Sequence, residues 1–124
     1  MKKDAIITLP NSHLRQKSQR VHVITDETRQ LVADMTSASI DWENSRPHEI
    51  SAALAAVQID QLERVVIVRE DFDDKDNRTF IPLINPEIVK YEGELISDYE
   101  GCLSVSGRIY GKVPRYSRVR VKAL

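Results

Sequence analysis

The chain is short of the residues that usually build turns and cross-links. Among its 124 residues there is a single cysteine, Cys102. One cysteine excludes an internal disulfide and fits a reducing compartment, so the expected location is the cytoplasm. Glycine is scarce, and all four glycines follow Glu92: Gly93, Gly101, Gly107 and Gly111. The first 92 residues must therefore turn on Asn, Asp, Ser and Pro. No apolar run is long enough to span a bilayer. The start, Met1-Lys2-Lys3-Asp4-Ala5-Ile6-Ile7-Thr8-Leu9-Pro10, has a basic end but only a brief apolar stretch, so no signal peptide is expected. Neither sign of charge dominates: 18 Lys and Arg face 19 Asp and Glu, for a net charge of −1. That balance leaves no global field to attract nucleic acid or an anionic membrane, and neither is an expected partner.

What is present fits one globular unit. Hydrophobic residues make up 41% and charged residues 30%, which argues against disorder. The expected organisation is a single domain over residues 1–124 with a small core. Residues 5–9 read as extended, and Asn11 can cap a helical turn over residues 12–17. Thr25 then opens the clearest helix, with Asp26 and Glu27 where the dipole favours acid. Leu31, Val32, Met35, Ala38 and Trp42 recur at the helical period. Pro47 bounds the helix, because the residue before a proline disfavours helical backbone.

The pattern beyond is strand-like. Residues 54–59 form a compact apolar run broken by Gln58, and the β-branched run at 65–68 predicts a strand buried on both faces. An acidic connection at 71–77 leads to a return strand at 80–84, then a turn at Asn85-Pro86. Short strands are expected at 87–91, 94–97 and 103–105, and residues 118–124 alternate charged with apolar. The fold class is α+β: one helix packed on short, mostly antiparallel sheets. That helix alone is expected to leave part of the sheet system uncovered. A further helix, or a second copy of the chain covering the exposed sheet as a homodimer, would meet the need.

Few residues can carry chemistry. A lone cysteine is more often a small buried hydrophobe than a ligand. Here it sits in Glu100-Gly101-Cys102-Leu103-Ser104, beside a glycine that lets backbone approach closely. A thiolate with two imidazoles is a known divalent-metal site with a position left for water. Gln58 interrupts apolar residues, either as a polar strand end or as a fixed NH₂ donor for an oxyanion. His48-Glu49 begins like the zinc-peptidase H-E-x-x-H pattern, but Ala52 stands where the second histidine would be. His13 and His22 have no ligand pattern around them, and the acidic runs at 70–76 and 98–100 read as solvated turns.

Ser51-Ala52-Ala53-Leu54-Ala55-Ala56-Val57-Gln58, then Ile84-Asn85-Pro86-Glu87, then Glu100-Gly101-Cys102-Leu103-Ser104 occur in that order. This series resembles the G-x-G-x-A-A-x-Q, I-N-P-x and E-G-C-L-S segments of the peptide deformylases. Val113-Pro114-Arg115 and Val119-Arg120-Val121 resemble that family's next strands. The resemblance implies Cys102 as a metal ligand, with Gln58 and the Leu103 backbone N–H as oxyanion donors. It implies Ser51, Ala52, Ala53 and Gly101 on the substrate. The implied reaction removes the formyl group from the N-terminal methionine of new proteins. Its metal would be Fe²⁺, replaceable by Ni²⁺, Co²⁺ or Zn²⁺, and N-formylmethionyl peptides and the ribosome would be its partners.

Two departures stand out. The family's H-E-x-x-D-H helix, with two metal ligands and the general base, has no counterpart in residues 1–124. Both glycines of the first segment are replaced, by Ser51 and Ala53. The expectation is an incomplete deformylase-like domain, inactive by itself: a fragment, the product of a truncated gene, or a non-catalytic peptide- or protein-binding relative.

Overall fold

The computed structural model describes residues 1–105 and 110–124. Helix α1 (Asp26–Asn44) begins where the capping residue predicts. Thr25 Oγ1 accepts from the Thr28 N–H, and Thr28 Oγ1 accepts from the Thr25 N–H, so two orphan donors of the first turn are satisfied. Its buried positions, Thr28, Leu31, Met35, the adjacent Ala38 and Ser39, and Glu43, recur at the helical period and form one stripe.

That stripe packs on a three-stranded antiparallel sheet in the order β1 (Ala53–Ala55), β2 (Val65–Arg69), β3 (Phe80–Ile84). Leu54 pairs with Ile67, and Val65 pairs with Ile84. These four residues join Met35, Ala38 and Leu31 in one buried cluster with Ile6, Val21, Ala56 and Ile59. Strand β2 corrects one expectation. Val65, Ile67 and Arg69 are buried while Val66 and Val68 are only half-buried, so α1 covers one face and the other is partly open.

Four further expectations change. The apolar run at 54–59 is not one strand: β1 ends at Ala55, and Ala56–Ile59 closes into a 3₁₀ turn. Residues 103–105 form a turn rather than a strand. The separate strands expected at 87–97 are one strand, β4 (Glu87–Glu100), which pairs with β5 (Gly111–Lys122) in a second, two-stranded antiparallel sheet. Gly93 explains the apparent break. It has φ of +79°, at an irregularity where the register slips between Glu92 and Leu95, and a Cβ there would run into the Ser117 hydroxyl. The helical turn after Asn11 is shorter than expected, at Ser12–Arg15, and the Asn11 side chain accepts from the His13 N–H.

The connection between β2 and β3 is built from local polar turns. Asp71 Oδ1 accepts from the Asp73 N–H, Asp74 Oδ1 from the Asp76 N–H and Asn77 Oδ1 from the Thr79 N–H. Short polar side chains that bond backbone two residues on replace the glycines this region lacks.

Candidate functional site

Gln58 and Cys102, far apart in sequence, meet in the fold. The tight turn Ala56–Ile59 swings Gln58 back over β1, where its Oε1 accepts from the Ala55 N–H at 2.9 Å. With the oxygen held there, the amide nitrogen must face the other way. It donates to Ser104 Oγ at 3.1 Å and lies 3.7 Å from Cys102 Sγ. The turn after β4 brings up Cys102 and Ser104, and the Val105 N–H donating to the Cys102 carbonyl closes it.

The amino-terminal segment stitches the two pieces together. The Ile7 N–H donates to the Gln58 carbonyl at 2.7 Å, and the Leu9 N–H donates to the Ser104 carbonyl at 2.9 Å. Ser104 is buried and Gln58 is half-buried, whereas Cys102 is exposed. The Leu103 N–H has no acceptor among the described residues.

These groups open into a cleft of about 530 Å³. Ala52 and Ala53 line it on the β1 side, Asp98, Tyr99 and Glu100 on the β4 side, and Gln58, Gly101, Cys102 and Leu103 lie between them. Trp42, Phe72 and Tyr110 add aromatic surface, and Glu49 and Ile50 complete the lining. Ser51 stands behind this wall: its side chain is buried, and its carbonyl accepts from Arg69. Gly101 leaves room for Tyr110, because a Cβ there would meet the Tyr110 ring at 2.7 Å and the ring would have to shift. Tyr110 in turn donates its hydroxyl to Glu49 Oε2 at 2.6 Å.

Glu100 carries the strongest local electrostatics. Arg115 Nε and Nη2 grip its two oxygens at 3.0 and 2.9 Å. These hydrogen bonds hold the Glu100 carboxyl below the usual range and push the Arg115 guanidinium up. Glu100 is therefore ionised near neutral pH and paired with Arg115 of β5.

The donor set tests the implied metal. Cys102 offers one accessible thiol, but among the described residues no group of three His, Cys, Asp or Glu side chains is close enough to hold an ion. His48 is exposed in the loop after α1, and His13 Nδ1 lies 2.8 Å from Asp60 Oδ1 at another surface. A single thiolate does not hold a catalytic divalent ion, so these residues alone do not fit a complete centre.

Comparison with known proteins agrees with the motif order. The family model described as polypeptide deformylase matches residues 3–124. A peptide deformylase of Rickettsia akari is 37% identical over 96% of this chain and 66% of its own length. One from Thermomicrobium roseum is 40% identical over 96% of this chain and 64% of its own. Among solved structures, a peptide deformylase of Synechococcus elongatus in complex with actinonin superposes with a TM-score of 0.81 at 30% identity. It is matched over 95% of this chain and 59% of its own. The Legionella pneumophila peptide deformylase gives 0.79 at 33% identity, over 96% and 63%. The chain thus spans about two-thirds or less of the length of these relatives. With its motifs in order, its fold matched and nearly every residue within the family model, this chain belongs to the polypeptide deformylase family.

Proposed function

We propose that residues 1–124 form the formyl-recognising part of a deformylase site, the site that hydrolyses the formyl amide of N-formylmethionyl peptides. The observation that carries this reading is the locked Gln58 amide: its oxygen is occupied by Ala55, so its NH₂ faces the cleft beside Cys102. With the Leu103 N–H, which has no acceptor among the described residues, it makes two donors for a carbonyl oxygen on which negative charge develops. Ala52, Ala53 and Gly101 would flank the peptide backbone, with Ser51 supporting them from behind. Cys102 would be one ligand of a divalent ion, Fe²⁺ or its substitutes Ni²⁺, Co²⁺ and Zn²⁺. Such an ion supplies hydroxide near neutral pH when bound.

The chain by itself is proposed to bind formylated peptide without turning it over, since its described residues bring no group of three metal ligands and its sequence has no H-E-x-x-D-H segment to supply the general base. A cytoplasmic setting accords with the exposed thiol. A second copy is proposed to cover the apolar side of the β4–β5 ribbon. There Ile88 and Tyr91 stand opposite Val121 and Val119, all four exposed.

Trp42 is the sole tryptophan and lines the cleft, so its fluorescence reports occupancy. Titration with a formyl-Met peptide should give a saturable change that the unformylated peptide does not. Equal response to both would remove the oxyanion reading. Formate release with added Fe²⁺ or Ni²⁺ should stay at the buffer rate, and turnover above it would remove the claim of inactivity.

A further inference from the structure

The stretch between α1 and β1 walls the cleft but has no helix or strand of its own. Its backbone carbonyls still need donors. Beyond the Glu49 N–H, which donates to the Arg46 carbonyl, they find them in two cations from elsewhere in the chain. Lys75, in the β2–β3 connection, donates through Nζ to the carbonyls of Arg46 at 2.6 Å, Glu49 at 2.9 Å and Glu43 at 3.4 Å. An ammonium has three N–H donors, so this one is fully used.

Arg69, at the end of β2, donates from Nη1 to the Ser51 carbonyl at 3.2 Å and from Nη2 to the Lys75 carbonyl at 3.0 Å. The guanidinium thus ties the wall to the loop that supplies the lysine. The Arg69 N–H adds a bond to the Ala52 carbonyl at 2.7 Å. Glu43 balances the charge: its Oε2 accepts from Arg69 Nη1 at 3.3 Å, and its Oε1 sits 3.1 Å from Nη2 as a charge contact. Both side chains are fully buried.

Burying an ion pair is a poor route to stability, because desolvation offsets much of the attraction and an apolar pair of similar volume does as well or better. An apolar pair could not donate to Ser51 or Lys75. We propose that Arg69 and Lys75 are positioning residues: they hold the wall that carries Glu49, Ile50 and Ala52 and leads into Ala53 of β1, together with the loop that carries Phe72, in the geometry that admits peptide. This rests on reading the cleft as the formyl-peptide site. The knot lies on no residue named by the family motifs.

The test uses the full chain and two readouts, amide hydrogen exchange and Trp42 fluorescence with a formyl-Met peptide. Lys75→Met keeps the aliphatic stem and removes the donors. The double variant Glu43→Leu with Arg69→Met keeps the buried volume and removes the charge. In each, amides of residues 45–53 should exchange at least about tenfold faster while α1, β2 and β3 keep their protection. Peptide affinity should fall about tenfold, the scale of a lost charged hydrogen bond, and Lys75→Arg should recover part of it.

Exchange that is unchanged at 45–53, or raised evenly along the chain with an equal fall in thermal stability, overturns the proposal in favour of a purely structural knot. Faster exchange with wild-type affinity overturns it too. If the wild-type chain binds no formylated peptide, the reading of the cleft fails, and local exchange alone then decides whether the knot holds the wall. Should Lys75→Met not fold, the double variant carries the test.

Discussion

Residues up to Ile84 and the β4–β5 ribbon are held together by different forces. Every buried hydrophobic residue among those described, from Ile6 to Ile84, lies in the first region. The ribbon is longer than any strand of the first sheet, yet Ile88, Tyr91, Leu95, Ile96, Val119 and Val121 are exposed on it. It is held by ladder hydrogen bonds, the tilted Tyr91–Tyr116 ring pair at 5.3 Å, and surface ion pairs such as Arg120 with Glu92 at 3.3 Å. Exposed pairs of that kind contribute little, and two strands alone are marginal in water. The candidate site lies on the seam: Gln58 comes from the packed region, and Cys102 from the end of the ribbon.

The contrast can be broken hardest in the core. Ile67→Ala removes a fully buried side chain from the middle of β2 and should cost about 2–5 kcal/mol, read by chemical denaturation with Trp42 as the probe. Gln58→Ala strands the Ala55 N–H and takes a donor from buried Ser104. A loss of about 1–3 kcal/mol is expected in the same assay, together with loss of formyl-peptide binding. Gln58→Glu separates the two effects, since it keeps the acceptor for Ala55 and removes the donor. Thr25→Ala deletes the capping hydroxyl of α1, for about 1 kcal/mol. Tyr91→Ser, on the ribbon, should change stability by only about 0.2–1 kcal/mol and speed amide exchange in β4 and β5 alone; a global loss as large as that of Ile67→Ala would erase the distinction between the regions.

The smallest effect expected is one of pH. Glu100 titrates below its ordinary value because Arg115 bonds its carboxylate. Its stabilising contribution is therefore present above the unfolded carboxyl range and is lost as pH falls through the lowered folded value. Carboxyl NMR should give a midpoint below that of a free glutamate, and Arg115→Met should return it to the ordinary range.

Much of this was legible in the sequence, for reasons that differ by element. Helix α1 announced both its ends, with Thr25 as cap and Pro47 soon after, because caps and prolines act locally. Strands β2 and β3 followed from β-branched and apolar runs bounded by turn residues. The turn at Gln58 did not show, because a short apolar run fits a strand and a tight turn equally and only the Ala55–Gln58 bond decides. The unity of β4 was hidden by Gly93, which reads as a break yet permits an irregularity within one strand. The Glu43–Arg69–Lys75 knot was invisible. A glutamate at a helix end, an arginine after a strand and a lysine among aspartates each look like solvated surface, and only the fold buries the first two and brings the lysine, half-buried, beside them.

The amino-terminal stitch has a consequence for how the site comes into being. Leu9 is made well before Ser104, the residue whose carbonyl its N–H bonds. Such pairings across almost the whole chain are slow to form, since loop closure must precede any gain from the contact. While the protein is still being synthesised, the helix and first sheet can assemble around Met35 and Ile67. Gln58 and Cys102 can meet only once the turn after β4 has been made.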